Sequence, residues 1–378
     1  MEAIVLAGGF GTRLRHVVSD VPKPMAPVAG RPFLRYVLNE LTEKGVDRIV
    51  LAVGYMREAI MEDFGDVYRG AKLIYSPEDT PLLTGGAIKK ALELCLDDEV
   101  FVVNGDTLFE VNLTEMAVFY REKKADFVMA VRLMHDFDRY GTVVINKNGR
   151  IERFLEKRPT KEGLINGGVY LIKKEFLRNT LEEVFSFEKD VLERRVRDEC
   201  FYAFISDAYF IDIGVPEDYK KAQYDLKKRH IALKAIFFDR DGTINKDVGY
   251  LHRVEDLQFI KGMPEFISCW KRWGYKVIVV TNQAGIARGM YTEDDMRKLH
   301  RYMNEKLKPY GAHIDAFYYC PHHPDFTGPC HCRKPEPGML KHAIADFELV
   351  PEQCIMFGDQ PWDMEAAKKC GVTGVLTK

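Results

Sequence analysis

The segment KAIFFDRDGTIN, residues 234–245, joins a short apolar run to two aspartates, Asp239 and Asp241. The run has the length and the apolar content of a strand that is buried on both faces of a sheet. Burying carboxylates at the end of such a strand costs free energy unless a cation compensates their charge. The segment therefore predicts a buried parallel strand whose carboxyl end serves chemistry rather than packing.

A second segment of the same kind, AIVLAGGFGTR at residues 3–13, opens the chain. Between the two lies DYKKAQYDLKKRH, residues 218–230, a polar and basic helical segment without a strong apolar face. Such a segment is typical of a linker, so we predict two domains, residues 1–230 and 231–378. In both, short apolar runs alternate with helical periodicity. This pattern predicts α/β folds with mostly parallel sheets covered on both faces.

The composition of the chain narrows the classes of function. Its 378 residues are 46% hydrophobic and 30% charged, and the formal net charge is −2, which gives no global attraction to nucleic acid or membrane. No apolar run approaches the roughly 18 residues of a transmembrane helix, and the first apolar stretch lacks the basic flank of a signal peptide. Three of the eight cysteines sit in one cluster and the others are scattered. We expect a cytoplasmic protein with reduced thiols.

The segment CPHHPDFTGPCHCRKP, residues 320–335, carries four nitrogen or sulfur ligands at close spacing. With no open coordination position, the set predicts a structural tetrahedral Zn²⁺ site rather than a catalytic one. The predicted ligands, in a zinc loop over residues 320–332, are Cys320, His322, Cys330 and Cys332. The spacing leaves the other two histidines of the segment as non-ligands. No helix rich in basic residues follows, which argues against a DNA-reading finger.

The loop LAGGFGTRLR, residues 6–15, follows the first predicted strand directly. Glycine lacks the Cβ that keeps a backbone away from a phosphate, so the N–H groups of such a loop can approach an anion closely. The glycine spacing matches neither the dinucleotide fingerprint nor the P-loop, and a glycine-rich loop alone is a weak signal. Two cations strengthen the signal: Arg13 in the loop, and Lys23 between two prolines shortly after it.

LAGGFGTRLR together with PKPMAPVAGRP, residues 22–32, resembles the sugar-1-phosphate nucleotidyltransferases. Further motifs of that family follow in the same order over roughly residues 1–225: VVNGD, FLEK, NGGVY and FIDIGVPEDY. The resemblance implies a Rossmann-like mixed sheet. It also implies a reaction in which a sugar 1-phosphate oxygen attacks the α-phosphate of a nucleoside triphosphate and pyrophosphate leaves. Catalysis of such a step is mainly positioning and electrostatic stabilisation.

The same resemblance assigns roles to residues. Arg13 and Lys23 would be the catalytic cations that neutralise the triphosphate, while Asp106 and Asp212 would hold Mg²⁺, a hard cation that prefers oxygen ligands. The nucleotide-binding residues would be Gly8, Gly9, Gly11, Thr12, Arg13, Lys23, Gly85 and Asp106. The residues on the sugar phosphate would be Lys157, Asn166, Gly167 and Glu188. TGGA at residues 84–87 departs from the family's usual threonine–alanine–glycine–alanine order, which leaves the nucleobase open.

The D-x-D-G-T pattern at residues 239–243 resembles the haloacid dehalogenase superfamily of phosphohydrolases, whose sheets are parallel. VVTNQ, RKP and FGDQPWD follow in that superfamily's order. The resemblance implies that Asp239 attacks phosphorus and that Asp241 protonates the leaving alcohol. Mg²⁺ would be held by Asp239, by the backbone carbonyl of Asp241 and by Asp359. The substrate-binding residues would be Thr281, Asn282, Arg333 and Lys334.

Two further resemblances narrow the substrates. The zinc loop with RKP directly after it is similar to heptose 1,7-bisphosphate 7-phosphatases and histidinol phosphatases. FSFEKDVLE, residues 185–193, is similar to heptose 1-phosphate guanylyltransferases. We therefore predict a bifunctional enzyme that removes the 7-phosphate of D-glycero-D-manno-heptose 1,7-bisphosphate and transfers GMP from GTP to heptose 1-phosphate. Its partners would be small molecules, with neither nucleic acid nor membrane among them, and the sequence leaves a homo-oligomer open.

Three other hypotheses remain open on the sequence. Both folds could act on another sugar phosphate with UTP, CTP or ATP as the donor. The second domain could be a histidinol phosphatase. Separately, Gln360 stands where the heptose phosphatases often carry lysine, which leaves the charge balance around the phosphate or the metal open. A non-enzymatic sensor of sugar nucleotides is the third hypothesis, which the intact aspartate pairs Asp239/Asp241 and Asp106/Asp212 disfavour.

Overall fold

The computed structural model describes residues 1–9, 21–155, 157–227 and 234–377. The chain folds as two compact units. Unit 1 comprises Met1–Val67 and Lys72–His230, and unit 2 comprises Tyr68–Ala71 and Ile231–Lys378. Among the described helices, none has both the length and the apolar character that crossing a bilayer requires.

Strands and helices alternate in the first part of the chain. The strands are β1 (Glu2–Leu6), β2 (Pro27–Val28), β3 (Arg31–Pro32), β4 (Arg48–Val53), β5 (Val67–Tyr68), β6 (Ala71–Pro77), β7 (Glu99–Asn104), β8 (Thr107–Phe109), β9 (Phe127–Phe137), β10 (Thr142–Ile145), β11 (Ile151–Leu155), β12 (Thr160–Lys173), β13 (Phe201–Ile205) and β14 (Phe210–Asp212). The helices are α1 (Phe33–Glu43), α2 (Arg57–Phe64), α3 (Leu83–Leu92), α4 (Leu113–Lys123), α5 (Glu193–Arg195) and α6 (Pro216–Lys227).

Ten of these strands form one mixed sheet. Its order is β11–β10–β12–β7–β1–β4–β6–β5, with β9 beside β12 and β13 beside β9. The strands β7, β1, β4 and β6 run parallel, whereas β12 runs antiparallel to β7. Ala3, Ile4 and Val5 of β1 are fully buried, as the continuous apolar run predicts for a strand covered on both faces. The predicted mixed α/β fold is confirmed.

Helix α6 corrects one interpretation of the sequence. The segment at residues 218–230 was expected to lack a strong apolar face, but Tyr219, Ala222 and Leu226 are all buried. Their spacing of three and four residues places them on one side of the helix. The Tyr219 hydroxyl also donates a hydrogen bond to the carbonyl oxygen of Pro27 at 2.6 Å. The described part of this segment therefore has a buried apolar face, and the prediction that it lacks a strong one was wrong.

Unit 2 contains a second α/β sheet. Its strands are β15 (Ala235–Phe238), β16 (Lys276–Asn282), β17 (Ala316–Cys320), β18 (Ile355–Gly358) and β19 (Thr373–Leu376). Its helices are α7 (Met263–Arg272), α8 (Ala284–Ala287), α9 (Glu293–Leu307), α10 (Pro324–Thr327), α11 (Gly338–Phe347) and α12 (Pro361–Lys369). The sheet order is β17–β16–β15–β18–β19, and every neighbouring pair is parallel, which confirms the predicted parallel sheet.

Helix α9 shows how the sequence of unit 2 builds this core. Thr292 caps its first turn, because the side chain accepts a hydrogen bond from the Asp295 backbone N–H while Asp295 bonds back to Thr292. Met296, Leu299 and Met303 recur at helical spacing and are fully buried. Leu299 and Met303 belong to one apolar cluster with residues of β15 and β16. The acidic first turn also complements the helix dipole.

The burial of β16 gives a stability prediction. Val279→Ala should lower the free energy of unfolding of unit 2 by about 2 kcal/mol, because it removes two methyl groups from a fully buried site and leaves a cavity. Denaturant unfolding of the full chain followed by tryptophan fluorescence measures this, since Trp270, Trp273 and Trp362 all lie in unit 2. The matched control is Val375→Ala in β19, where valine is 37% exposed. A loss as large at Val375 as at Val279 would contradict the assignment of the core.

Candidate functional sites

The first candidate site lies at the carboxyl ends of parallel strands in unit 1, where Gly8 and Gly9 follow β1. A Cβ built on Gly8 would lie 2.8 Å from Glu78 Oε1 and 3.2 Å from the backbone nitrogen of Gly54, so a larger residue would have to displace the Glu78 side chain. No atom of the described residues lies within 4 Å of a Cβ built on Gly9. A ligand therefore has room to approach this backbone. Three predicted site residues lie outside the described residues: Gly11, Thr12 and Arg13.

Two carboxylates meet beside this loop. The antiparallel pairing of β8 and β14 aligns Asp212 with Thr107 and so brings Asp212 next to Asp106. The Lys23 ammonium group contacts the Asp106 carboxylate and lies 3.9 Å from Asp212 Oδ1. Burial and the neighbouring charge of Asp106 raise the pKa of Asp212, and Lys23 opposes that rise. Such a pair fits a hard cation like Mg²⁺, whose other positions water or phosphate oxygens can take.

The predicted sugar residues Asn166 and Gly167 lie on β12, at a shift of its register against β9. Asn166 is held by two hydrogen bonds: its Nδ2 donates to the Tyr170 hydroxyl at 2.7 Å, and its Oδ1 accepts from the backbone N–H of Gly168 at 2.8 Å. A Cβ built on Gly167 would lie 2.4 Å from the ring of Phe109. The glycines of NGGVY are therefore explained by a β-bulge and close packing. Glu188 lies outside β12, but its charge, after burial, contributes to raising the pKa of Tyr170, the partner of Asn166. Lys157 is exposed.

Glu188 lies in a π-helical turn, Phe187–Leu192, a local geometry that recurs at functional sites. Its Oε2 accepts a hydrogen bond from Thr84 Oγ1 at 2.9 Å, a contact between the TGGA segment and the predicted sugar side that the sequence analysis missed. The backbone N–H of Gly85 donates to the Phe185 carbonyl at 2.9 Å, and a Cβ on Gly85 would lie 2.3 Å from the Phe185 ring. Packing thus explains the glycine at position 85, and its nucleotide contact stays a prediction.

The second candidate site, in unit 2, is a cluster of carboxylates. Asp239, Asp359 and Asp363 each offer an oxygen, and these oxygens lie within 4.8 Å of one another. Asp239 and Asp359 follow β15 and β18, which are neighbours in the sheet. Gly242 has φ +85°, and a Cβ there would lie 2.4 Å from Asp359 Oδ2, so the D-x-D-G motif requires its glycine. Asp359 Oδ1 is buried with no hydrogen-bond partner among the described residues. An oxygen of this kind fits a cation such as Mg²⁺.

Lys334 is the cation of this cluster. Its ammonium group lies 2.7 Å from Asp239 Oδ1 and 2.6 Å from Asp363 Oδ1, and it donates to the Val280 carbonyl at 2.8 Å. Burial raises the pKa of Asp239 to about 6, against the opposing effect of Lys334. The two aspartates in turn raise the pKa of Lys334, so the lysine stays charged at neutral pH. The sequence placed Asp363 in the FGDQPWD motif without a role, and the structure shows that it pairs with Lys334.

The remaining predicted substrate residues of unit 2 surround Lys334. Asn282 bonds to the Lys334 backbone in both directions: its Nδ2 donates to the carbonyl at 3.1 Å, and its Oδ1 accepts from the N–H at 3.0 Å. Thr281, at the end of β16, is buried and accepts a hydrogen bond from Gln283 Nε2 at 2.9 Å. Arg333 donates to the backbone carbonyl of His322 at 3.2 Å. The predicted phosphate side of this site is thus tied to the predicted zinc loop.

The four predicted zinc ligands converge. Cys320 Sγ lies 3.5 Å from Cys330 Sγ and 3.1 Å from Cys332 Sγ, and His322 Nδ1 lies 3.4 Å from Cys332 Sγ. Tetrahedral Zn²⁺ with bonds of roughly 2.3 Å to sulfur would space its ligand atoms by about 3.7 Å, so the set fits zinc. His323 instead caps α10, where its Nδ1 accepts from the backbone of Asp325.

Comparisons with known proteins identify a family for each part of the chain. Residues 2–229 match the nucleotidyl transferase family, and residues 137–371 match the haloacid dehalogenase-like hydrolase family. Over 228 residues the chain is 50% identical to the D-glycero-alpha-D-manno-heptose 1-phosphate guanylyltransferase of Aneurinibacillus thermoaerophilus. This match covers 60% of this chain and 99% of that protein. Over 151 residues the chain is 44% identical to the D-glycero-beta-D-manno-heptose-1,7-bisphosphate 7-phosphatase of Haemophilus ducreyi. This match covers 38% of this chain and 83% of that protein.

A solved structure gives the same result for the first part of the chain. The crystal structure of HddC from Yersinia pseudotuberculosis complexed with GMP-PN superposes with a TM-score of 0.55 at 35% sequence identity, covering 60% of this chain and 99% of that one. Both resemblances drawn from the sequence are confirmed. The chain belongs to the nucleotidyl transferase family and to the haloacid dehalogenase-like hydrolase family, and it is a fusion of an N-terminal nucleotidyltransferase with a C-terminal phosphatase.

Proposed function

We propose that the two parts of the chain catalyse consecutive steps. The second domain, residues 231–378, removes the 7-phosphate of D-glycero-D-manno-heptose 1,7-bisphosphate. The first domain, residues 1–230, then transfers GMP from GTP to the resulting heptose 1-phosphate, giving GDP-heptose and pyrophosphate. One observation carries this proposal: the two domains resemble separate enzymes whose named substrates are phosphates of the same heptose, one with the 7-phosphate and one without it. Each domain also has its own carboxylate site.

In the phosphatase domain, the carboxylate of Asp239 attacks the phosphorus while the bond from phosphorus to the sugar oxygen breaks. Asp241 gives its proton to that oxygen, and Lys334 offsets the charge of the phosphate. Asp241 then takes a proton from water, which attacks the aspartyl phosphate, so that inorganic phosphate leaves and Asp239 is restored. Asp239 and Asp359, with the Asp241 backbone carbonyl, would hold Mg²⁺, which lets an anionic carboxylate approach an anionic phosphate.

In the nucleotidyltransferase domain, the phosphate oxygen of the sugar attacks the α-phosphate of the triphosphate. The backbone around Gly8 and Gly9 and the cation Lys23 bind the phosphates, and Asn166 with Glu188 binds the sugar. Asp106 and Asp212 would hold Mg²⁺, which supplies charge for the leaving pyrophosphate. Arg13, Gly11 and Thr12 belong to the same proposal on the motif alone.

The proposal extends to the surroundings of the enzyme. All eight cysteines lie in the described part of the chain and are free thiols in the structure. Three of them are zinc ligands in our proposal, and oxidation would destroy that ligand set. We therefore assign the enzyme to a reducing compartment, the cytoplasm.

The test of the proposed function is one incubation of the full chain with heptose 1,7-bisphosphate, GTP and Mg²⁺, followed by mass spectrometry of the products. We expect GDP-heptose together with one equivalent each of phosphate and pyrophosphate. UTP, CTP and ATP in place of GTP should give little nucleotide sugar. Product from another triphosphate only would overturn the choice of donor, and phosphate release from histidinol phosphate in preference to the heptose would overturn the choice of sugar.

Two matched variants separate the steps. Asp239→Asn should lower phosphate release by at least about 10³-fold, because it removes the nucleophile and the charge of a proposed magnesium ligand. It should leave GDP-heptose formation from supplied heptose 1-phosphate unchanged, because Asp239 belongs to the phosphatase site. Asp106→Asn should do the reverse, because it removes a magnesium ligand of the other site. Unchanged phosphate release in Asp239→Asn would sink the phosphatase mechanism.

The names of the two relatives differ in anomer, and this difference has a chemical consequence. The guanylyltransferase relative acts on an alpha 1-phosphate, whereas the phosphatase relative acts on a beta 1,7-bisphosphate. Hydrolysis at the 7-phosphate breaks no bond at C1, so it keeps the configuration there. If the two domains work in sequence, both must take the same anomer.

We therefore predict that the phosphatase domain prefers the alpha anomer, unlike its relative. Separate assays with the alpha and the beta 1,7-bisphosphate should give a kcat/KM at least about tenfold higher for the alpha anomer, equivalent to roughly 1.4 kcal/mol of transition-state discrimination. Guanylyl transfer assayed with the two 1-phosphates is the matched control. Opposite preferences in the two domains would contradict a consecutive reaction.

The zinc loop gives a prediction for metal removal. Cys332→Ser should lower the unfolding midpoint of unit 2 by at least about 5 °C and raise KM for the bisphosphate about tenfold, because Arg333 and Lys334 follow the loop that zinc orders. Tryptophan fluorescence, zinc content and phosphate release measure the three effects. Cys269→Ser is the control, since Cys269 lies outside the cluster. A full zinc equivalent with an unchanged KM in Cys332→Ser would contradict the assigned role.

A further inference from the structure

The side chain between the two catalytic aspartates is a completely buried arginine. Arg240 is 0% exposed and has the largest volume of any fully buried side chain among the described residues. A guanidinium group without water is costly unless carboxylates and carbonyls satisfy its donors. The partners of Arg240 therefore indicate what it does.

Most of these partners belong to Asp241. Arg240 Nη2 donates to Asp241 Oδ2 at 2.8 Å, and Nε lies 3.1 Å from Oδ1 and 3.2 Å from Oδ2. The fork of the guanidinium thus spans both oxygens of the carboxylate, a geometry that fixes orientation as well as charge. Asn245 Nδ2 completes the set by donating to Oδ1 at 2.9 Å. Asp241, the general acid and base of the proposed mechanism, is therefore oriented by hydrogen bonds from Arg240 and Asn245.

A histidine from a distant helix holds Arg240 in turn. His300, on α9, lies with Nε2 3.2 Å from Arg240 Nη1, and its ring stacks on Phe317 of β17 at 4.1 Å between centroids and 10° between planes. Arginine can only donate, so the imidazole nitrogen must accept, and His300 is neutral with its proton on Nδ1. Burial and the nearby charges of Arg240 and Arg297 keep the pKa of His300 well below its usual range, in agreement. Arg240 also donates to the Leu251 carbonyl at 3.0 Å.

A second support ties this assembly to the phosphate-binding side. Gln283 Nε2 lies 3.3 Å from Asp241 Oδ2 and donates to Thr281 Oγ1 at 2.9 Å. Its Oε1 accepts from the Tyr291 hydroxyl at 2.6 Å, which fixes the amide orientation. The Asp241 carboxylate is thus held between Arg240 and Gln283, in a fixed relation to a residue predicted to bind the phosphate.

We propose that His300 is a positioning residue for the phosphatase reaction: it holds Arg240, and Arg240 orients the carboxylate of Asp241 for proton exchange with the leaving alcohol. The inference rests on the proposed phosphatase activity but not on which sugar is the substrate. Asp241 must protonate the leaving oxygen as its bond to phosphorus breaks, and must later take a proton from water at nearly the same point. A misplacement of about 1 Å in such a group can cost roughly 10²-fold in rate.

The test compares two leaving groups. An alkyl phosphate, here heptose 1,7-bisphosphate, needs protonation of its leaving oxygen, whereas p-nitrophenyl phosphate has a leaving group that departs without it. His300→Phe keeps a stacked ring but offers Arg240 no acceptor. It should lower kcat/KM for the alkyl phosphate about 30-fold and for the aryl phosphate less than about threefold, with most of the loss in kcat. His300→Gln restores an acceptor and should recover the alkyl activity to within about fivefold of the parent protein.

Controls separate this role from loss of structure. The tryptophan unfolding curve and the guanylyltransferase activity of His300→Phe should match the parent protein. If this variant does not fold, Phe317→Leu should show the same preference for losing alkyl over aryl hydrolysis, because it removes the ring that stacks on His300 and keeps an apolar side chain against the core. Equal losses for both phosphates, or no loss in a folded His300→Phe, would overturn the proposal. If the parent protein ignores the heptose, the proposed function fails instead, and the same comparison applies with whichever alkyl phosphate it does hydrolyse.

Discussion

The phosphatase site of the second unit depends on the ion pairs that Lys334 makes with Asp239 and Asp363. Its ammonium group lies between Asp239 and Asp363, and all three side chains are almost completely removed from water. Two carboxylates that close together in a medium of low dielectric would repel each other strongly, so the pair requires a cation with good geometry. The surrounding structure supplies it. β15 delivers Asp239, α12 delivers Asp363, and Asn282 and the zinc loop fix the backbone that carries the lysine.

The first unit has a related arrangement in a wetter setting. Lys23 lies beside Asp106 and Asp212, but its side chain is 16% exposed, compared with 1% for Lys334. The difference suits the two reactions. Burial removes the water that would screen the charge of Lys334, which strengthens its attraction to the phosphate of the proposed monoester substrate. Lys23 lies instead at the carboxyl edge of a sheet, which a nucleoside triphosphate and a sugar must both reach. Each unit therefore places a lysine beside aspartates at its candidate site, and the two sites differ in how much of the lysine side chain is exposed.

The sequence predicted the folds, the two enzyme families and the grouping of the carboxylates and of the Cys and His side chains, because parallel strands and closely spaced ligand types leave local patterns. The apolar run before Asp239 and the spacing from Cys320 to Cys332 are examples of such patterns. It could not predict relations that depend on packing. His300 is 60 residues from Arg240, and a histidine on one face of a helix has no local mark of its role. The resemblance assigns Gly85 to nucleotide binding. Its close packing against Phe185 depends on the tertiary structure and cannot be read from the local sequence. Helix α6 was misjudged because three buried side chains among many polar ones form a weak pattern.

The contacts that the Lys334 ammonium group makes within the folded protein lower the entropy cost of binding a phosphate. A lysine on a surface has four rotatable bonds, and ordering them against a ligand costs roughly 1.5–2 kcal/mol. Lys334 makes contacts to two carboxylates and the Val280 carbonyl before any phosphate arrives, and Asn282 holds its backbone. That ordering is completed during folding. A phosphate entering the site therefore meets a cation that is already immobile, and more of the electrostatic attraction remains to favour binding.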